Sequence, residues 1–326
     1  MIDMLPLIKN TSAYKTVKAD IKSNRLSHAY LILFKDKVYS EAVLRIFAKT
    51  VFCENDDPCG NCRACRLIDE GRFPDAKEFP ENGNSIVKDD VLSLIEQSFL
   101  KPIEGDKKLF LLKNAESMNA TAQNKILKTL EEPPSGVHIF MCATGEFNLL
   151  PTVRSRVKTL TIPEFSKDTL FDVMRPYYTD EEKLKAAIFC GDGTVGRSEA
   201  LYGDEKTLAT LSFTTDLMLN MKSSRNLPEF SKKLSDLKID FGEFLTVFEL
   251  TLRDLLCYNH GEKALVFNSE QSSRVLSAGG YNDGAIIYIL DRISETRRML
   301  AANVNAQMVS DKFLFSVLEG KHKWSK

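Results

Sequence analysis

Apolar residues fall in short unbroken runs through the first half of the chain and in helical stripes through the second. The runs are 29–34 (AYLILF), 109–112 (LFLL), 138–143 (HIFMCA) and, less sharply, 157–162 (VKTLTI). Each is too short for a stable helix and is bounded by polar residues, so each predicts a strand. Helical patterns lie between them, over 41–52 and 88–100, where Val91, Leu94, Ile95 and Phe99 recur at helical spacing. Continuous apolar strands alternating with helices predict a parallel sheet covered on both faces, an α/β domain.

From about residue 166 the strand pattern stops, so the order is α/β then all-α. Ser166 suits the cap of a short helix over 167–175. Thr179 with Glu182 reads as a capping box, and the helix it opens should end at Gly191 and Gly193. Another short helix is expected from about Thr194. Three long stripes follow: Phe244, Val247, Phe248, Leu252, Leu255 and Leu256; then Ile286, Ile289, Leu290 and Ile293; then Val309, Phe313 and Val317. They predict the core of a helical bundle. The closing KHKWSK (321–326) reads as a solvated end.

Composition narrows the class. The 326 residues leave room for two or three domains, and 43% hydrophobic content with 16 glycines and 11 prolines is that of an ordinary globular chain. Lys and Arg number 44 against 45 Asp and Glu, so no global field draws the chain to nucleic acid, and any DNA contact is local or shared with other subunits. The opening MIDMLPLIKN lacks the pattern of a signal peptide, and no apolar run approaches the roughly 18 residues of a membrane span. A cytoplasmic protein without membrane contact is expected.

Four of the seven cysteines crowd into KTVFCENDDPCGNCRACRLI, while Cys142, Cys190 and Cys257 stand isolated in apolar surroundings and read as buried free thiols. Without an export signal, such a cluster predicts a metal site rather than a disulfide framework. Cys53, Cys59, Cys62 and Cys65 suit zinc, which takes four thiolates in a tetrahedron, and Gly60 can relieve the tight turn among them. The spacing C-x5-C-x2-C-x2-C differs from paired C-x2-C knuckles. The same run also begins an iron–sulfur pattern, but the closing C-P is missing, and reduced thiols without metal are a third reading. Four thiolates leave no open position for substrate, so a zinc ion here would be structural. The neighbouring Glu54, Asp56 and Asp57 read as a solvated loop.

Four further stretches carry a resemblance: RLSHAYL (25–31), TAQNKILKTLEEPP (121–134), HIFMCAT (138–144) and LLPTVRSR (149–156). Together with the cysteine cluster they resemble bacterial DNA polymerase III clamp-loader subunits of the AAA+ superfamily, closely over about 20–165 and in outline beyond. The resemblance implies an AAA+ RecA-like parallel-sheet domain over 1–165 with an inserted zinc module at 53–65. It also implies a small helical lid over 166–207 and a C-terminal helical collar over 208–326 that joins loader subunits. A working phosphate loop needs G-x-x-x-x-G-K-[ST], whose backbone N–H groups cradle the phosphates. The corner after the first strand holds Lys35, Asp36, Lys37 and Tyr39 and neither glycine, and Ser40 reads as a helix cap. Lys113 and Asn114 stand where the Walker B Asp-Glu pair belongs. Lysine cannot coordinate Mg²⁺, and asparagine cannot serve as a base toward water. Glu116, two residues on, reads as surface or capping. The chain is therefore expected neither to bind nor to hydrolyse ATP alone, as in the non-catalytic members of the family.

The resemblance also implies a role for an inactive ATPase. The family's S-R-C arginine reaches a neighbour's ATP as a finger, and Ser155 and Arg156 match it, with Val157 departing from the cysteine. Arg154 ranks as an assistant. Thr144 falls at the sensor position and Arg197 near the lid's sensor arginine, and without nucleotide both read as structural or surface residues. The implied partners are the tau/gamma-type loader ATPase and the delta subunit, and through the assembled complex the sliding clamp and primer–template DNA. A non-catalytic stator is expected. Two other classes compete, an active loader ATPase and an independent zinc-dependent nucleic-acid-binding protein.

Overall fold

The computed structural model describes residues 2–83, 85–262, 269–302 and 304–324. It separates into two compact units, Met1–Tyr177 with Thr194–Gly196, and Tyr178–Gly193 with Arg197–Lys326.

The first unit is built on five parallel strands: β1 (Ala29–Phe34), β2 (Ala76–Phe79), β3 (Lys108–Leu112), β4 (Val137–Ala143) and β5 (Lys158–Ile162), in the order β2-β3-β4-β1-β5. The four strands expected from the sequence are present. Strand β2 is additional; its AKEF puts Lys77 and Glu78 between two apolar ends, and at an edge of the sheet both stay half-buried, so no apolar run advertises it. The central strands are buried on both faces, as continuous apolar runs require.

Helices flank the sheet. Ser12–Lys22 is capped by Thr11, whose side chain accepts the Tyr14 N–H, and Ala120–Glu131 by Asn119, which accepts the Ala122 N–H. On one face Leu31, Phe110, Ile139 and Met141 meet Val91, Leu94, Ile126 and Leu130. On the other, the Tyr30 and Phe140 rings stack at 4.8 Å and Phe47 joins them 6.0 Å from Phe140. The helix from Lys88 stops at Ser98, so Phe99 falls outside it and is 73% exposed rather than part of the core stripe. Because all strands run parallel, the segments that follow β1, β3 and β4 emerge at one end of the sheet, the usual place for a site in such folds.

In the second unit the helices Glu181–Cys190, Lys206–Asn220, Leu227–Asp236, Phe241–Asn259, Asp283–Ala301 and Ala306–Lys323 surround an aromatic core. Phe213 lies 5.4 Å from Phe244, and Phe248 lies 5.6 Å from Phe313. The predicted stripes supply most of this core, with Leu256 and Leu290 only partly buried at its rim. Three expectations change. Asp180, not Thr179, caps Glu181–Cys190, accepting the Lys183 N–H at 2.9 Å. Cys257 is half-buried rather than buried. The tail is not simply solvated: Lys321 is buried, and its Nζ donates to the Met218 and Met221 carbonyls, each at 3.0 Å. Ser325 and Lys326 lie outside the described residues. Among the described residues no helix is long and apolar enough to cross a membrane.

Candidate metal centre and degenerate nucleotide corner

The four clustered cysteines come together. Helix Ser40–Phe52 ends at Cys53, and Cys62 caps helix Arg63–Asp69 by accepting the Cys65 N–H on its sulfur. All four Sγ atoms lie within 4.8 Å of one another, and Cys53 Sγ sits 3.9 Å from Cys62 Sγ. Zn–S bonds of about 2.3 Å in a tetrahedron place sulfurs about 3.8 Å apart, so the donor set fits zinc after a small contraction. Backbone N–H groups already face the sulfurs, Asn55 to Cys53 at 3.4 Å and Cys62 to Cys59 at 3.3 Å. The N–H groups of Cys62 and Asn61 hold the Cys59 thiol below its ordinary range, whereas burial raises Cys65. Gly60 has φ +70°, the left-handed turn that a Cβ would strain.

Of the three acids expected to be a solvated loop, Glu54 is exposed, but Asp57 and Asp56 anchor the loop. Asp57 accepts the Tyr14 hydroxyl at 2.9 Å and pairs with Lys18 at 2.5 Å and Lys9 at 2.7 Å. Asp56 pairs with Lys18 at 3.0 Å and Lys22 at 2.7 Å. The cluster is thus bound to helix Ser12–Lys22. No local signal announces this, because the partners lie some forty residues away in the chain.

The corner after β1 and the segment after β3 are occupied by the chain's own side chains. Lys35 pairs with Glu164 at 3.3 Å, and Asp36 is only 4% exposed. Ser40 does not cap its helix: it is the first helical residue, and its hydroxyl donates to the Lys37 carbonyl at 2.9 Å. In the Walker B position Lys113 pairs with Glu41 at 2.8 Å. Glu41 also pairs with Arg45 at 2.8 Å, and Arg45 with Glu78 at 2.6 Å. Asn114 is buried with φ +53°. Glu116 is not a bare surface acid: one carboxylate oxygen accepts the Thr144 hydroxyl at 2.9 Å and its N–H at 3.3 Å, while the other is buried without a partner. Sequence reasoning missed these contacts of Asp36, Glu41 and Glu116, since their partners are remote in the chain.

Ser155 and Arg156 follow the short helix Pro151–Arg154. The Arg156 guanidinium is 34% exposed and folded back on the chain. Its Nε donates to Glu131 Oε1 at 2.8 Å, and its Nη1 donates to the Thr152 carbonyl at 2.8 Å and to Ser155 Oγ at 3.2 Å. Glu131 is the first acid of the LEEPP run. Arg154 pairs instead with Glu146 at 2.8 Å. In the second unit Arg197 pairs with Glu243 at 2.9 Å.

These features define a parallel α/β domain with four converging thiols, a glycine-free corner after β1 and Lys113–Asn114 directly after β3. Residues 9–166 match the sequence profile of the family described as DNA polymerase III, delta subunit. Among curated proteins, DNA polymerase III subunit delta' of Bacillus subtilis is 34% identical over 148 residues, covering 45% of this chain and 45% of that one. DNA polymerase III subunit tau/gamma of Haemophilus influenzae is 34% identical over 139 residues, 42% of this chain and 20% of that one. A solved gamma subunit-related protein of Thermotoga maritima overlays with TM-score 0.41 at 19% identity, covering 95% of this chain and 100% of that one. The matched stretch spans less than half the length of these two curated relatives. Over residues 9–166 the chain is thus similar to delta, delta' and tau/gamma subunits of DNA polymerase III.

Proposed function

We propose that the chain is a non-catalytic, delta'-type subunit of a clamp loader, a stator that lends Arg156 to a neighbour's ATP site. The observation that carries this reading is a contrast within one unit. The corner after β1 holds the buried Asp36 and the segment after β3 is tied up in the Lys113–Glu41–Arg45–Glu78 chain of ion pairs, whereas Arg156 is partly exposed beside Ser155. A planar guanidinium suits the charge that develops on a transferring phosphoryl group, and Val157 in place of the family's cysteine leaves that chemistry intact. Glu131, Thr152 and Ser155 would hold the finger in place until a phosphate competes for it.

In this reading residues 1–165 form the AAA+ domain, 166–207 the lid and 208–326 the collar. The partners are a tau/gamma-type ATPase and a delta subunit, and through the assembled complex the sliding clamp and primer–template DNA. The setting is cytoplasmic. Cys53, Cys59, Cys62 and Cys65 hold a structural zinc, which stiffens the corner where helix Ser40–Phe52 ends.

The test is DNA- and clamp-stimulated ATP hydrolysis by a loader reconstituted with its own partners, carrying the wild-type chain or Arg156→Ala. With assembly intact, turnover should fall by about 10³-fold or more, the scale of trans-acting arginines. Unchanged turnover would reduce Arg156 to a bystander. ATP hydrolysis by the isolated chain would favour the active-ATPase reading instead.

A further inference from the structure

The corner after β1 has lost its glycines, yet it has not lost the geometry of an anion site. The buried Asp36 carboxylate accepts the Gly196 N–H on Oδ2 at 2.7 Å. The backbone N–H groups of Val38, Tyr39 and Val195 also donate to this carboxylate. Two of the four donors come from the residues leading into helix Ser40–Phe52. The other two come from Val195 and Gly196, the latter 160 residues away in the chain, and both residues belong to the same compact unit as Asp36. Backbone N–H groups from the turn ahead of helix Ser40–Phe52 and from Val195 and Gly196 therefore converge on one carboxylate, and convergent backbone N–H groups are a usual means of holding phosphate.

The fit around Asp36 is close. A Cβ at Gly196 would lie 2.6 Å from Asp36 Oδ1 and 2.7 Å from Val38 Cβ, so glycine is needed there for approach, not for its φ. Burial raises the Asp36 carboxyl above its usual range, and the four N–H donors pull it back. Lys35, the nearest candidate counter-charge in sequence, pairs with Glu164 at 3.3 Å.

We propose that this corner is an intact anion nest whose ligand is the chain's own Asp36 carboxylate, which takes the place of a nucleotide phosphate. Phosphate is then excluded by occupancy and not for want of donors. The inference stands on the geometry of the corner alone and holds whether or not Arg156 acts on a neighbour.

Shortening the side chain should vacate the nest and let a free oxyanion enter. Thermal unfolding of the full chain, wild type and Asp36→Ala, would be followed in inorganic phosphate and in sodium chloride at equal ionic strength and pH 7. Phosphate strengthens apolar burial in any protein, so the quantity read is the variant's response minus the wild-type response. The variant should unfold at a lower temperature in chloride and recover, in phosphate, by at least about 2 °C more than the wild type, in a saturable manner. Formate should give the same recovery, since it supplies the missing carboxylate. If Asp36→Ala does not fold in chloride, refolding in formate or phosphate alone carries the same support, and failure to refold in any of the three overturns the proposal. Equal responses of the two chains would also overturn it, because the wild-type nest would then be either open to phosphate or no nest at all.

Discussion

Single residues decide how the first unit is closed at its edge. Asp20, on helix Ser12–Lys22, accepts the Tyr30 hydroxyl at 2.7 Å and pairs with Lys158 of edge strand β5 at 2.5 Å. Burial works against its ionisation, but Lys158 and Tyr30 outweigh that and hold the carboxyl below its usual range. A depressed carboxylate stabilises the fold above its unfolded pKa, about 4, and that stability is lost as pH falls through the lower folded value. Asp20→Asn should therefore cost about 1 kcal/mol near neutrality, a small figure because Lys158 is 41% exposed and solvent screens the pair. Its unfolding midpoint should also fall less steeply below about pH 4 than that of the wild type. Parallel midpoint-against-pH curves for the two chains would remove this role. The aspartate and lysine are 138 positions apart, so no window of sequence joins them.

At the scale of elements, the four-cysteine loop shows how local pattern and remote anchoring combine. The C-x2-C turns and Gly60 are legible directly, because metal-ligand spacing is a short-range property. Asp56 and Asp57 read as solvent-facing loop acids for the same reason: their lysines lie on another helix. Metal analysis of the purified chain should find about one zinc per chain, and chelation should lower the unfolding temperature while the chain stays colourless throughout. Iron with visible absorption would replace zinc by a cluster, and a chain free of metal would leave four reduced thiols. Strand β2 teaches the complementary lesson. Four residues with a polar centre carry too little periodicity to be read, and the strand exists because Ala76–Phe79 finds the register of Leu109–Leu112 beside it. The cap of helix Glu181–Cys190 falls one residue later than expected for a similar reason, since Thr179 and Asp180 are both good caps and only backbone geometry chooses between them.

For the whole molecule, charge is the property that sets expectations. Forty-four basic residues against 45 acidic ones give a formal net charge of −1, and many of those charges are already paired across the first unit, as at Asp56, Asp57, Glu41 and Glu131. The isolated chain should retain no primer–template DNA at about 150 mM salt, where binding depends on displacing counterions from phosphates. Tight binding that weakens steeply with added salt would instead support an independent nucleic-acid-binding protein. Assembly with loader subunits would then not be needed to bring the chain to DNA.

The letters alone establish the class of the first unit, four of its five strands, the stripes of the helical bundle and the identity of the four clustered cysteines. These follow from periodicity, ligand spacing and motif, all of which act over a few residues. That the corner after β1 holds no glycine and that Lys113 and Asn114 follow β3 is equally legible, since the residues are read directly. What fills the space left behind is a different matter. Asp36 meets Gly196, Lys113 meets Glu41 and Glu116 meets Thr144 past the C-terminal ends of the parallel strands, and Arg156 meets Glu131 at their N-terminal ends, each only once the fold brings the partners together. Hydrogen bonds and ion pairs act over a few ångströms in space, whatever their separation along the chain, and the fold alone sets that distance.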